Sequence, residues 1–255
     1  MNAMRAALAL AYREVRRLVR QPLRIAVAIA TPAMMWLFIA SGFASSIRPE
    51  SLGDESGTSL TIYLLPGMAS LVVLFNAIFA SISLIEDRHE GFLQAVLVSP
   101  APRWSMAVGK LLGGGLLGFA QAMVLLVFSP LVGATLSAEG LLSAIVALAC
   151  LSLGITGLGL ATAWKVDSSS GFHGVMNLVF MPMWLLSGAI FPVEGASGWL
   201  RALVMVNPMA WCQRVVGAGL QGQTDAAALL LSLVFAAMGV TLAMLTMGWG
   251  RARGG

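Results

Sequence analysis

Six long apolar stretches dominate the pattern of hydrophobic and polar positions along this chain. They are Ile25–Phe43, Ile62–Ile85, Leu111–Leu136, Leu141–Ala163, Phe172–Phe191 and Ala226–Trp249. None of the six contains Asp, Glu, Lys or Arg. Since a helix needs about 20 apolar residues to cross a hydrocarbon core about 30 Å thick, the pattern predicts an all-α membrane protein with six transmembrane helices.

The basic residues between these stretches predict the orientation of the chain. If both termini lie inside the cell, 12 of the 15 Lys and Arg residues fall on inner segments. Inner segments of membrane proteins retain Lys and Arg, so this distribution predicts an N-in, C-in topology. Residues 25–250 would then form the six-helix domain, and residues 251–255 a cytoplasmic tail.

Residues 1–24 are predicted to form an amphipathic helix before the first span. Met4, Leu8, Val15 and Val19 recur at helical spacing, and five arginines gather on another side. Such a helix suits the cytoplasmic interface, with its arginines among anionic headgroups. A basic topology signal with no further role is the alternative. Pro22 is expected to end the helix.

Composition narrows the class of protein. Apolar residues make up 58% of the chain and charged residues only 10%, against about 25% charged in a typical soluble domain. Soluble enzymes and nucleic-acid binders are therefore excluded, and the net charge of +4 is better explained by topology. Two cysteines and two scattered histidines give no metal-binding pattern.

The inner segment between the second and third spans is the best candidate for a docking element. A charged cluster at 86–90 precedes a short apolar helix, which Ser99-Pro100 is expected to stop. Phe92, Leu93, Val96 and Leu97 are too few to cross a membrane but suit a groove on a cytoplasmic protein. A helix resting on lipid is the alternative.

The outer segment between the fifth and sixth spans, 193–225, is unusually apolar for a loop. It contains Trp199, Leu203, Val206 and Trp211, and it is expected to fold as short re-entrant helices. Irregular backbone at that depth persists only where protein or a water-filled cavity covers it.

Ionisable groups are missing from the predicted spans, and ion-coupled transporters need such groups at mid-membrane. The strongest polar side chains there are Gln121, His173 and Asn177. Gln121 and Asn177 either bond between helices or line a substrate pathway. Energy for uphill transport would therefore have to come from another protein.

Two short motifs suggest chemistry that their context does not support. Gly195–Gly198 resembles the nucleophile motif of rhomboid intramembrane proteases, but both histidines precede it, so the required base is missing from the later span. Gly154–Gly159 resembles a nucleotide loop but lies within a span, where small residues favour close helix packing. No Walker A motif occurs, so the chain is not expected to hydrolyse ATP alone.

Several dispersed motifs resemble the ABC-2 permease family, the membrane subunits of ABC exporters. They are Pro66-Gly67, Glu86, Gly91, Ser99-Pro100, Gly109-Lys110 and Asn207-Pro208 with Arg214. Their order on a six-span frame carries the resemblance. The family commonly has Gly-Thr after the acidic cluster, whereas this chain has Gly91-Phe92.

The resemblance implies a permease without cofactors of its own, driven by two copies of an ABC ATPase that bind ATP and Mg. A second permease chain, identical or related, would complete the pathway in a bacterial inner membrane. Coupling to the ATPase would involve Glu86, Asp87, Arg88, Glu90, Gly91, Phe92, Leu93 and Leu97. The outer re-entrant segment would include Trp199, Asn207, Pro208, Trp211 and Arg214.

The cargo is not specified by any motif, although short outer loops and apolar spans favour an amphipathic or lipid-like molecule. The alternatives are an ATP-independent channel or carrier and, with no credible catalytic set, a membrane-embedded serine protease.

Overall fold

The computed structural model describes residues 3–43, 59–98, 102–193 and 195–248, and the regular elements in these ranges are helical. In chain order the helices are α1 (Ala3–Val19), α2 (Pro22–Phe43), α3 (Leu60–His89), α4 (Phe92–Leu97), α5 (Arg103–Val127), α6 (Ala138–Lys165), α7 (Ser169–Val175), α8 (Met181–Leu185), α9 (Gly198–Val206), α10 (Pro208–Leu220) and α11 (Ala226–Gly248). A 3₁₀ turn at Ser129–Val132 follows α5, and a π-helical turn at Met176–Phe180 joins α7 to α8. The predicted tail and the boundary residue Trp249 lie outside these ranges.

Five helices in the described ranges are long and apolar enough to cross a membrane, namely α2, α3, α5 with its 3₁₀ turn, α6 and α11. The fifth predicted span, Phe172–Phe191, is not among them. It is instead built from α7, the π turn and α8, of 7, 5 and 5 residues. The chain is therefore a multi-pass helical protein, with the fifth predicted span shorter and more irregular than its composition indicates.

Helix α3 forms the centre of the bundle and packs against α2, α5, α6 and α10. Its most apolar window is 89% buried, whereas the corresponding windows of α2 and α11 are only 22% and 33% buried. Helices with so many apolar side chains on their outer face need an apolar medium around them, since water would penalise that surface. The packing thus agrees with the membrane environment predicted from composition.

Local sequence explains where several helices begin and end. Pro22 starts α2 three residues after α1 ends at Val19, and its missing N–H costs nothing at the first position of a helix. Ser137 caps α6 by accepting a hydrogen bond from the Gly140 backbone N–H. The third predicted span ends earlier than Leu136, because Pro130 cannot continue an α-helix.

Glycines in the predicted spans bring helix backbones into contact. A Cβ added at Gly157 of α6 would lie 2.3 Å from the Gly239 carbonyl oxygen of α11, and one at Gly154 would meet the Phe235 ring. Gly114 of α5 faces Ala80 and Thr156 in the same way. The prediction that the Gly154–Gly159 segment serves close helix packing is confirmed.

Replacing Gly157 with Ala is expected to destabilise the protein, because the added methyl group has no space between α6 and α11. Overpacking of this kind costs about 1–3 kcal/mol, which exceeds the gain in helix propensity from Gly to Ala. Thermal unfolding in detergent, followed by size-exclusion chromatography after heating, measures the change. Gly42→Ala is the matched control, because an added Cβ there meets no described atom within 4 Å beyond the backbone of its own helix. Equal melting temperatures for the two variants would show that the α6–α11 contact is not tight.

Candidate functional site

Eight charged side chains meet at one end of the bundle, where α1, α2, α3 and α5 come together. We call this the ion cluster, and its members are Arg13, Glu14, Arg17, Arg24, Glu86, Asp87, Glu90 and Lys110. The end of the bundle that carries it is called the basic end below. Four cations and four anions balance there, as buried or half-buried charges require.

Asp87 is the centre of the ion cluster, with a fully buried side chain. Both of its oxygens accept from Arg13, at 3.0 Å and 3.3 Å. Oδ1 also accepts from Arg17, and Oδ2 pairs with the Lys110 ammonium, each at 2.5 Å. Three cations from α1 and α5 thus surround one carboxylate of α3, so this carboxylate fixes three helices together.

Glu14 and Lys110 form the second buried part of the ion cluster. Lys110 Nζ lies 2.7 Å from Glu14 Oε2 and donates to the Ser83 hydroxyl at 3.0 Å. That hydroxyl donates in turn to Glu14 Oε1 at 2.7 Å. Both charged side chains are almost completely buried, so each depends on the other for compensation.

Glycines on α5 let α1 come close enough for these pairs to form. A Cβ at Gly109 would lie 2.6 Å from Leu10 Cβ, and one at Gly113 would lie 2.6 Å from Glu14 Cβ. Gly109-Lys110 is one of the motifs that carry the family resemblance. The structure gives it a physical reason, since the glycine admits α1 and the adjacent lysine neutralises the glutamate that α1 brings.

Glu86 and Glu90 form the exposed edge of the ion cluster. Glu86 pairs with Arg24 at 2.8 Å and with Arg17 at 3.1 Å, which ties the start of α2 to the end of α3. Glu90 lies 3.6 Å from Arg17, and its side chain is 62% exposed. Of the four acidic groups in the cluster, Glu90 is therefore the one most available to a partner.

Helix α4 leaves the ion cluster at a sharp turn. Gly91 adopts a left-handed backbone (φ 76°), which side-chain-bearing residues rarely accept, and this explains a glycine at that position. The Arg13 guanidinium lies 3.5 Å from the centroid of the Phe92 ring. Arg13 thus contacts both Asp87 and α4, and it links the ion cluster to the short helix.

The outward face of α4 differs from the one predicted. Leu93 is buried in this chain's own core, and Phe92 is half-buried beneath Arg13, so neither is freely presented. The exposed residues are Gln94, Ala95 and Val98. The Leu97 side chain and the predicted stop at Ser99-Pro100 lie outside the described residues.

Arg88 also pairs within the chain. Its guanidinium donates to the backbone carbonyls of Trp164 at 2.8 Å and Val166 at 3.1 Å, at the C-terminal end of α6. The carbonyl oxygens at a helix C-terminus lack helical partners, so a cation there is favourable. Glu86, Asp87 and Arg88 therefore belong to the last turn of α3, and are not part of a free charged segment.

The predicted outer segment forms α9 and α10, joined at Asn207. The Asn207 side chain accepts from the Met209 N–H at 3.0 Å and donates to the Met183 carbonyl at 2.6 Å, while Pro208 begins α10. Trp211 donates to the Met205 carbonyl at 2.7 Å, and Arg214 pairs with Asp225 at 2.8 Å. Trp199 is 68% exposed. Asn207 and Pro208 therefore join α9 to α10, and Arg214 links α10 to the start of α11. The depth of this segment in a membrane stays a prediction.

Pro66-Gly67 lies where α3 meets the turn after α8. A Cβ at Gly67 would lie 2.7 Å from the Ala189 carbonyl oxygen, so only glycine fits. The Gly67 carbonyl accepts from the Trp184 indole at 2.9 Å, and Gln213 donates to Ser70 at 2.7 Å. Ser197, of the protease-like motif, directly precedes α9 beyond this turn, whereas His89 lies at the basic end of the bundle.

The two polar side chains proposed for a substrate pathway have different surroundings. Gln121 is buried, and its Oε1 accepts from Asn76 of α3 at 2.6 Å. It therefore bonds between helices, although its Nε2 has no hydrogen-bond partner among the described residues. Asn177 is exposed and lies in the π-helical turn. A pathway role stays a prediction for both.

Comparison with known proteins gives consistent matches. A family model described as "ABC-2 type transporter" matches residues 5–220. The chain is 27% identical over 149 residues to "Probable multidrug ABC transporter permease YbhR" of Escherichia coli (strain K12), a match covering 58% of this chain and 40% of that protein. It is 24% identical over 197 residues to a protein of Cyanophora paradoxa named as transport permease ycf38, covering 76% of this chain and 67% of that protein. The chain thus matches less than half of the E. coli relative's length.

Replacing Lys110 with Met tests the buried part of the ion cluster. Asp87 and Glu14 would lose a shared cation, and breaking a buried pair costs about 3–5 kcal/mol, so a clear fall in melting temperature is expected. Lys165→Met, at an exposed lysine on the same end of the bundle, is the matched control.

A double variant separates charge compensation from side-chain packing. Adding Glu14→Gln to Lys110→Met removes one anion with the cation, so part of the lost stability should return. If the double variant melts at or below the temperature of Lys110→Met, the two groups do not compensate each other.

Proposed function

This chain belongs to the ABC-2 type transporter family, and from that premise we propose that it is the permease subunit of an ATP-driven ABC exporter. It would take its energy from a separate ABC ATPase present in two copies, which would bind ATP and Mg. The names of the relatives, a multidrug ABC transporter permease and a transport permease, support this proposal.

The observation that carries the proposal is the exposed short helix α4 beside the ion cluster. Gly91 turns α4 away from α3, so Glu90, Gln94, Ala95 and Val98 face outward together. We call these four residues the α4 docking face. A short helix held in this way suits a groove on a cytoplasmic partner, with an acidic residue at its edge. The α4 docking face does not include Leu93, which the sequence suggested as a docking residue, because Leu93 is buried in the core of this chain.

The ion cluster supplies a connection from the α4 docking face to the bundle. Arg13 contacts Phe92 of α4 and Asp87 of α3, and Asp87 also pairs with Lys110 of α5. Movement of α4 by an ATPase would therefore be transmitted through charged contacts to α1, α3 and α5 together. Packed helices joined in this way tilt as a unit, because breaking single pairs is costly.

The remaining parts of the proposal concern the assembly and its cargo. We propose six transmembrane segments in an N-in, C-in arrangement, with the irregular Ser169–Leu185 run as the fifth. A second permease chain would complete the pathway, in a bacterial inner membrane. An amphipathic or lipid-like cargo is consistent with the relative named for multidrug transport and with spans that lack acidic and basic residues over most of their length.

Reversing the charge of Glu90 is expected to weaken association with the ATPase. Glu90→Lys places a cation on the α4 docking face and gives up the 3.6 Å contact with Arg17, while the pairs of Asp87 with Arg13 and Lys110 do not involve Glu90. We expect recovery of a co-expressed ABC ATPase carrying a Walker A motif to fall at least fivefold after affinity purification of the tagged chain. The ATPase is identified by mass spectrometry, and ATPase activity of the purified complex should fall in parallel.

Glu139→Lys is the matched control, since it reverses the charge of an exposed glutamate in the first turn of α6, and the other end of α6 is the one that contacts Arg88 at the basic end. Equal loss of ATPase in both variants, or normal recovery with Glu90→Lys and with a Gly/Ser replacement of residues 91–98, would contradict the proposed docking face.

A further inference from the structure

A basic groove lies along α1, on the side not covered by the bundle. It encloses about 550 Å³ and is lined by Tyr12, Arg13, Arg16, Arg17, Arg20 and Gln21. Four guanidinium groups line this concavity within about two helical turns. Such a concentration of like charge favours an anionic ligand.

The four arginines of the groove differ in whether a carboxylate already pairs with them. Arg13 and Arg17 already pair with Asp87 of the ion cluster. Arg16 and Arg20 are exposed, and in the described part of the chain no carboxylate pairs with either. Like-charged neighbours repel one another, so an anion bound between Arg16 and Arg20 would relieve this repulsion.

An exposed apolar stripe runs beside the basic groove on the same helix. Met4, Leu8, Tyr12 and Val19 recur at helical spacing, and each is more than half exposed. The opposite side of α1, which includes Ala7, Glu14 and Leu18, is buried against the bundle. Helix α1 therefore has three sides: one against protein, one apolar and exposed, and one basic between them.

This arrangement matches the boundary between hydrocarbon and headgroups. The apolar stripe would lie in the acyl region, and the arginines beside it would reach the phosphate level. The place of these arginines in the chain also favours the headgroup level, because Arg20 lies only two residues before the apolar helix α2 begins at Pro22. The acidic surface of a soluble protein would not require the exposed apolar stripe.

We propose that the basic groove of α1 is a binding site for the phosphate of an anionic phospholipid headgroup. Arg16 and Arg20 would donate to the phosphate oxygens, and the Tyr12 hydroxyl would lie at the headgroup level. The lipid would also contact Arg13 and Arg17, so its presence would stabilise the side of α1 that holds Asp87. This site would make the attachment of α1 dependent on the lipid composition of the membrane.

Titration of the purified full-length chain with phosphatidylglycerol, followed by native mass spectrometry, tests the proposal. Phosphatidylcholine and inorganic phosphate are titrated in parallel. Arg16→Gln and Arg20→Gln are each expected to weaken phosphatidylglycerol binding about fivefold, the effect of one arginine near a charged surface. Arg5→Gln, which removes an exposed arginine of α1 outside the groove, is the matched control and should leave binding unchanged.

Several results would overturn the proposal. They are equal effects of Arg16→Gln and Arg5→Gln, equal affinity for phosphatidylglycerol and phosphatidylcholine, or displacement of the lipid by inorganic phosphate alone. If Arg16→Gln and Arg20→Gln reduced recovery of the ATPase and left lipid binding unchanged, the groove would instead be a protein-docking surface.

Discussion

Burial of the Asp87 carboxylate is the constraint on which this structure depends. A carboxylate without contact with water is tolerated only when cations surround it, and Asp87 recruits them from two other helices, Arg13 and Arg17 of α1 and Lys110 of α5. Lys110 in turn requires Glu14, which places α1 against α5, and the glycines of α5 provide the space. The N-terminal helix is consequently a packed part of the bundle, and it also retains a side that faces outward.

The same constraint organises the proposed coupling. Because Asp87 lies in the last turn of α3, the chain must turn immediately afterwards, and Gly91 makes that turn with a left-handed backbone. Arg13 then contacts Asp87 and the Phe92 ring together. The element proposed to meet an ATPase is thus joined directly to the helices proposed to move. Energy delivered to α4 would reach the bundle through one guanidinium and the carboxylate that it neutralises.

The sequence predicted those features that depend on local pattern. Long apolar runs identified α2, α3, α6 and α11 within a few residues, and the position of Pro22 correctly separated α1 from α2. The small residues Gly154–Gly159 of α6 were correctly assigned to packing. The fifth predicted span was not found as one long α-helix, because a π turn interrupts it and its helical run ends at Leu185, which hydropathy alone does not reveal.

The partners of the charged residues could not be read from the sequence, since they are set by distant parts of the chain. Asp87 and Arg88 were assigned to an external partner, yet Arg13, 74 positions away, and the end of α6 satisfy them. A solitary glutamate among the arginines of residues 1–24 was the available signal. Glu14 falls on the side of α1 away from the apolar stripe, and a buried cation such as Lys110 is what such a residue requires.

Transport in proteoliposomes distinguishes a permease driven by a separate ATPase from a carrier that works alone. The measurement is ATP-dependent movement of an amphipathic fluorescent dye, with the chain alone and with the co-purified ATPase. If the chain is such a permease, it gives no transport alone, and the complex transports the dye only while its ATPase can hydrolyse ATP. Dye movement by the chain alone at the rate of the complex would contradict this proposal.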